Sequence, residues 1–84
     1  MSDKKMTIRS ILREHGRLAV DIDTLSDQSD LFQAGLTSHA TVNLMLALED
    51  HFDVEFPERM LHRKTFSSIA SIRTCLDELI GAKA

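Results

Sequence analysis

Eighty-four residues, 43% of them hydrophobic and 27% charged with a single proline, describe one small helical domain rather than a disordered tail. A chain this short hides only about 60–65% of its unfolded surface, which leaves no room for a deep substrate cavity. The net charge of −3 conceals a division: residues 21–58 carry nine acids and no Lys or Arg, while the flanks are net basic.

Phosphate backbones require clustered cations, so nucleic acid is excluded as the main partner. The acidic middle is an ordinary solvation device or a docking surface. No stretch approaches the roughly 20 apolar residues of a membrane span, and the start Met1-Ser2-Asp3-Lys4-Lys5 lacks the apolar core of a signal peptide. The expectation is a cytoplasmic protein with no membrane partner.

Ile8, Ile11, Leu12 and Leu18 follow a helical repeat with Arg9, Arg13 and Arg17 on another face, which predicts a first helix from about Asp3 to Ala19. Residues 21–29 are rich in Asp, Ser and Thr, which bond their own backbone and interrupt helices. They form a long loop, pinned by Ile22, Leu25, Leu31, Phe32 and Leu36. A second helix is predicted from Ser38 to about His51, capped by Thr37 or by Ser38 itself. Val42, Met45, Leu46, Glu49 and Phe52 share a stripe that Leu44 and Leu48 widen, a width that implies more than one packing neighbour and a buried Phe52.

Pro57 suits the first turn of a short third helix ending near Arg63. Thr65 or Ser67 then starts a fourth, with Phe66, Ile69, Ile72, Leu76, Leu79 and Ile80 on one side and Gly81 as its end. The fold class is all-α, four helices around one aliphatic core in a single domain spanning residues 1–84.

Most chemical candidates fail on spacing. Ser38 and His39 are adjacent and point about 100° apart on a helix, so they make no nucleophile and base pair. The Gly-x-Ser-x-Gly turn is absent. Residues 21–32 begin like a calcium loop, but the sixth position is Ser26 and the twelfth Phe32 in place of glycine and glutamate. His15, His39, His51 and His62 sit on separate elements without the i, i+4 pairing of a helical zinc site, so no metal is expected. Cys75, alone and within the apolar pattern of the last helix, reads as a small packed residue.

Ser38 remains. At a helix start a serine is exposed beside backbone N–H groups that point outward, a placement suited to carrying an anionic group. Cap duty without chemistry is the plain alternative.

The run Asp30-Leu31-Phe32-Gln33-Ala34-Gly35-Leu36-Thr37-Ser38-His39 resembles the phosphopantetheine attachment site of acyl and peptidyl carrier proteins, with Gly35 letting the backbone approach the helix sharply. The resemblance continues through Val42 to Pro57, where Phe52-Asp53-Val54-Glu55-Phe56-Pro57 looks like the family's exit from its second helix. It covers about Asp30 to Ile80 well and the first helix by pattern only. It implies an acyl-carrier-protein-like bundle with a long loop between helices one and two and a short third helix. It implies 4′-phosphopantetheine, delivered from coenzyme A by a phosphopantetheinyl transferase, on Ser38. It also implies a monomeric carrier that is not itself an enzyme.

The family's usual Asp-Ser-Leu is here Thr37-Ser38-His39, and Ala40, Asn43 and Ala47 stand where fatty-acid carriers show exposed acids. The segment looks more like the small bacterial carriers paired with synthetase-like amino acid:carrier-protein ligases. That likeness implies an amino acid cargo such as glycine or alanine, with Thr37, His39, Ala40 and Asn43 as the partner-docking surface. The rival readings are a carrier for specialised fatty-acid or polyketide synthesis, served by acyl-transferring enzymes, and a cofactor-free adaptor binding another helix through an apolar groove.

Overall fold

Three α-helices and three single 3-10 turns make up the fold in a computed structural model that describes residues 4–83, with side chains through Gly81. No strand occurs among the described residues. The helices are α1 (Lys4–His15), α2 (Ser38–Phe52) and α3 (Ile69–Lys83). α1 packs on both of the others. Ile8 and Leu12 from α1, Leu44 and Leu48 from α2, and Ile69, Ile72 and Leu76 from α3 are fully buried and meet in one aliphatic core.

The first helix ends four residues earlier than its apolar pattern suggests. Gly16 closes the last turn through a 2.8 Å bond from its N–H to the Leu12 carbonyl, and Arg17 takes a left-handed φ of 50°. Leu18 still reaches the core, but from the loop. The expected start at Asp3 lies outside the described residues.

The long connection is packed rather than slack. Its 3-10 turn Ile22–Thr24 buries Ile22, and Leu31, Ala34 and Leu36 are buried behind it. Asp27 ties it to two helices at once. Its carboxylate accepts from Lys5 Nζ at 2.8 Å and Arg9 Nη2 at 2.9 Å on α1, and its carbonyl accepts the Ala70 N–H of α3 at 3.0 Å.

α2 runs one residue beyond the expected end and stops at Asp53, which adopts a left-handed φ of 53°. The chain then turns back because the Glu49 carboxylate accepts the Phe56 N–H at 2.8 Å, which seats the Phe56 ring 5.4 Å from that of Phe66. The expected short third α-helix is instead two 3-10 turns, Glu58–Met60 and Arg63–Phe66, separated by Leu61 and His62. Pro57 precedes the first turn as its cap. Ser68, rather than Thr65 or Ser67, caps α3 by accepting the Ser71 N–H at 3.1 Å. Gly81 does not end that helix, which continues to Lys83. A glycine weakens a helix by about 1 kcal/mol relative to alanine without forcing it to stop.

The buried face of α2 also differs from the expected stripe. Ala40, Leu44 and Leu48 form it, whereas Val42 and Leu46 are about half exposed and Phe52 is half-buried. α2 carries apolar residues on nearly every side, so its neighbours rather than its periodicity choose the inner face.

Candidate functional site

The loop into α2 is shaped by two residues. The Asp30 carboxylate accepts from the Phe32 N–H at 2.9 Å and the Gln33 N–H at 3.3 Å, holding a tight turn. Gly35 then takes a φ of 112°, a region closed to side chains, and lies against Ala19. Leu36 is buried after it, and the chain enters the helix.

Of the two cap candidates, Thr37 is the cap. Its Oγ1 accepts the Ala40 N–H at 3.0 Å and its carbonyl accepts the Thr41 N–H at 2.9 Å. Ser38 is therefore the first helical residue, exposed, with its hydroxyl left free of capping. The first turn of α2 contains no acid, so the positive end of the helix faces solvent uncompensated. An exposed hydroxyl there suits esterification to an anionic group, whose charge the helix end would stabilise by about 0.3–1 kcal/mol.

Thr37, His39 and Asn43 are exposed around Ser38, as a docking surface requires. Ala40 is not: at 3% exposure it belongs to the core, because three residues on from the cap it turns inward beneath the loop. Ala47 is likewise half-buried against the core. Asn43 alone of the three uncharged positions presents its side chain freely.

Ser38 also lines an open groove of about 350 Å³, walled by Phe32, Val42, Met45, Leu61 and Arg63 among others. The Arg63 guanidinium stacks over the Phe32 ring, 4.3 Å from its centroid. The sequence pattern misses this wall. The one cue is that Arg63 stands in the first basic run after the acidic middle. The groove can take a slender flexible group leaving Ser38.

Cys75 borders a different hollow, together with Arg59 and Glu78, and burial pushes its thiol pKa up. It is a packed residue rather than a nucleophile. Among the described residues, no His, Cys, Asp or Glu cluster is arranged to hold a metal ion, and no helix is long and apolar enough to cross a membrane.

Residues 7–76 match the family model described as a phosphopantetheine attachment site. The chain belongs to this family. Its relatives narrow the branch. The chain is 46% identical over 77 residues to an aminoacyl carrier protein of Agrobacterium fabrum, covering 92% of this chain and 93% of that one. It is 46% identical, with a TM-score of 0.84, to the Agrobacterium tumefaciens carrier protein solved with an engineered Bradyrhizobium japonicum glycine:[carrier protein] ligase and AMP, covering 87% of this chain and 97% of that one. A glycylated carrier protein bound to the Bradyrhizobium japonicum ligase is 29% identical, with a TM-score of 0.73, over 88% of this chain and 99% of that one. The protein is thus an aminoacyl-carrier homologue, a member of a family of carriers and not of catalysts. Its membership counts against the cofactor-free adaptor.

Proposed function

We propose that this carrier holds glycine or another small amino acid as a thioester on a phosphopantetheine arm attached to Ser38. The observation that carries the cargo assignment is the 46% identity to an aminoacyl carrier across nearly the whole length of both chains. The attachment assignment is supported by the exposure of Ser38 at the first position of α2 and by its free hydroxyl.

In the attachment step, the Ser38 oxygen forms a bond to the phosphorus of coenzyme A that bears the pantetheine. The phosphoanhydride bond breaks, 3′,5′-ADP leaves, and the serine proton passes to a base on the phosphopantetheinyl transferase. When bound, the arm supplies the thiol on which the cargo rides. Thr37 keeps the α2 terminus formed around Ser38, and Gly35 sets the approach. His39 and Asn43, with the exposed edge of Thr37, are the surface an amino acid:carrier-protein ligase reads. The protein acts as a cytoplasmic monomer.

Intact mass after incubation with coenzyme A and a broad transferase should rise by one phosphopantetheine. Addition of ATP, glycine and a glycine:carrier-protein ligase should then add one glycyl group that hydroxylamine removes. Charging with fatty acids by an acyl ligase, in the absence of charging with any amino acid, would support the specialised acyl-carrier alternative instead.

A further inference from the structure

Arg63 is a cation fixed in the wall of the groove beside Ser38. It opens the 3-10 turn Arg63–Phe66, and its guanidinium carbon sits over the ring of Phe32, whose backbone N–H is itself bonded to Asp30. The contact with the aromatic face restrains the exposed guanidinium, so less side-chain freedom remains to be lost when it meets an anion. The ion pairs among the described residues engage Lys4, Lys5, Arg9, Arg13 and His15, and none engages Arg63. Among the described residues, no carboxylate lines the groove that Arg63 and Ser38 share, although the chain from residue 21 to residue 58 is strongly acidic. A cation restrained by an aromatic ring, with no ion-pair partner among the described residues and sharing a groove with an exposed hydroxyl, is complementary to a negative group on that hydroxyl.

We infer that Arg63, held by Phe32, is the counter-ion of the phosphodiester formed when Ser38 is modified. This rests on Ser38 being the attachment residue. The pairing orients the first atoms of the arm along the groove, and it makes Arg63 a positioning residue for whatever the arm carries. Arg59, four residues earlier, borders the other hollow and provides the control for a general electrostatic effect.

The test compares apo and holo forms of the wild type, Arg63→Gln, Arg63→Lys, Phe32→Leu and Arg59→Gln. Intact mass first establishes complete loading of each protein, and failure of the wild type to load would count against the Ser38 assignment rather than against Arg63. Thermal midpoints are then measured at low and high salt. Modification should raise the wild-type midpoint by about 2–4 °C at low salt, the size of a partly exposed charge pair in a domain of this length. That gain should shrink at high salt, fall in Arg63→Gln to the part the α2 helix end supplies, fall less in Arg63→Lys and Phe32→Leu, and persist in full in Arg59→Gln. A merely structural Arg63 would shift apo and holo forms together and leave the gain unchanged. An unchanged gain in Arg63→Gln, no gain in the wild type, or an equal loss in Arg59→Gln overturns the proposal.

Discussion

Gly35 and Ala19 are packed backbone against backbone: a Cβ built on Gly35 would lie 2.7 Å from the Ala19 nitrogen, whose N–H donates to the Ala34 carbonyl at 2.8 Å. This contact fastens the start of the long connection, just after α1, to the turn that launches α2. Gly35→Ala meets both a forbidden φ and an immovable backbone atom. It should lower unfolding free energy by about 1–3 kcal/mol or more. Chemical denaturation checks the cost. Slower modification by the transferase, at temperatures where the variant remains folded, would show that the same contact positions Ser38.

The cap Thr37 and the proposed attachment residue Ser38 are separate side chains, which makes them separable by mutation. Thr37→Ala should cost about 1 kcal/mol through loss of the bond to the Ala40 N–H. Ser38→Ala should change stability by less than about 0.5 kcal/mol and abolish modification, since the Ser38 hydroxyl supports no cap. Mass spectrometry and denaturation on the same samples check both. Modification persisting in Ser38→Ala, or transferring to Ser67 or Ser68, would refute the attachment assignment.

The inner face of α2 sets a third expectation. Leu48→Ala, at a fully buried position, should cost about 2–5 kcal/mol of the roughly 5–15 kcal/mol that holds such a domain together. Phe52→Ala should cost less than the about 3–5 kcal/mol of a fully buried phenylalanine, because its side chain is only partly buried and packs against His51 at the helix end. Leu46→Ser should stay within about 0.5 kcal/mol. Denaturant midpoints of the three variants rank the positions, and a large loss from Leu46→Ser would contradict the observed face.

Acid should loosen the long connection first. Hydrogen bonds from Lys5 and then Arg9 hold the Asp27 carboxyl below the ordinary aspartate range, against a smaller opposing effect of burial. A folded-state pKa lower than the unfolded one contributes stability that is present above the unfolded value, near pH 4, and is lost as pH falls through the folded value. Stability of the wild type should therefore drop more steeply below about pH 4 than that of Asp27→Asn. Urea titrations at stepped pH measure the two slopes, and equal slopes would remove Asp27 from the account.

Ligase recognition can be probed at His39 and Asn43 but not at Ala40, where Ala40→Arg would break the core. His39→Asp and Asn43→Arg should each slow aminoacylation of the holo protein by up to about tenfold, the range of a rim contact, with the helical spectrum intact. Dependence on the diffuse acidity of residues 21–58 would instead give a steep loss with salt and little change at these two positions.

The linear chain determined the turn chemistry that leads into α2: Asp30 and Gly35 do in the structure what their residue types allow, Ser38 stands exposed at the helix start, and the boundaries of α2 are readable to within a residue. Ser38 stood out because its flanking residues resemble a phosphopantetheine attachment site, and its exposure at a helix start needs no distant partner. Tertiary structure alone decided which side of α2 faces inward, since Val42, Leu44, Met45, Leu46 and Leu48 surround the helix and only the positions of α1 and α3 select among them. It also decided that residues 58–66 form two tight turns around buried Met60 and Phe66 instead of one helix. The Arg63–Phe32 stack lay equally beyond sequence reading. Its partners are 31 positions apart, and the geometry that joins them arises from packing rather than from any local preference.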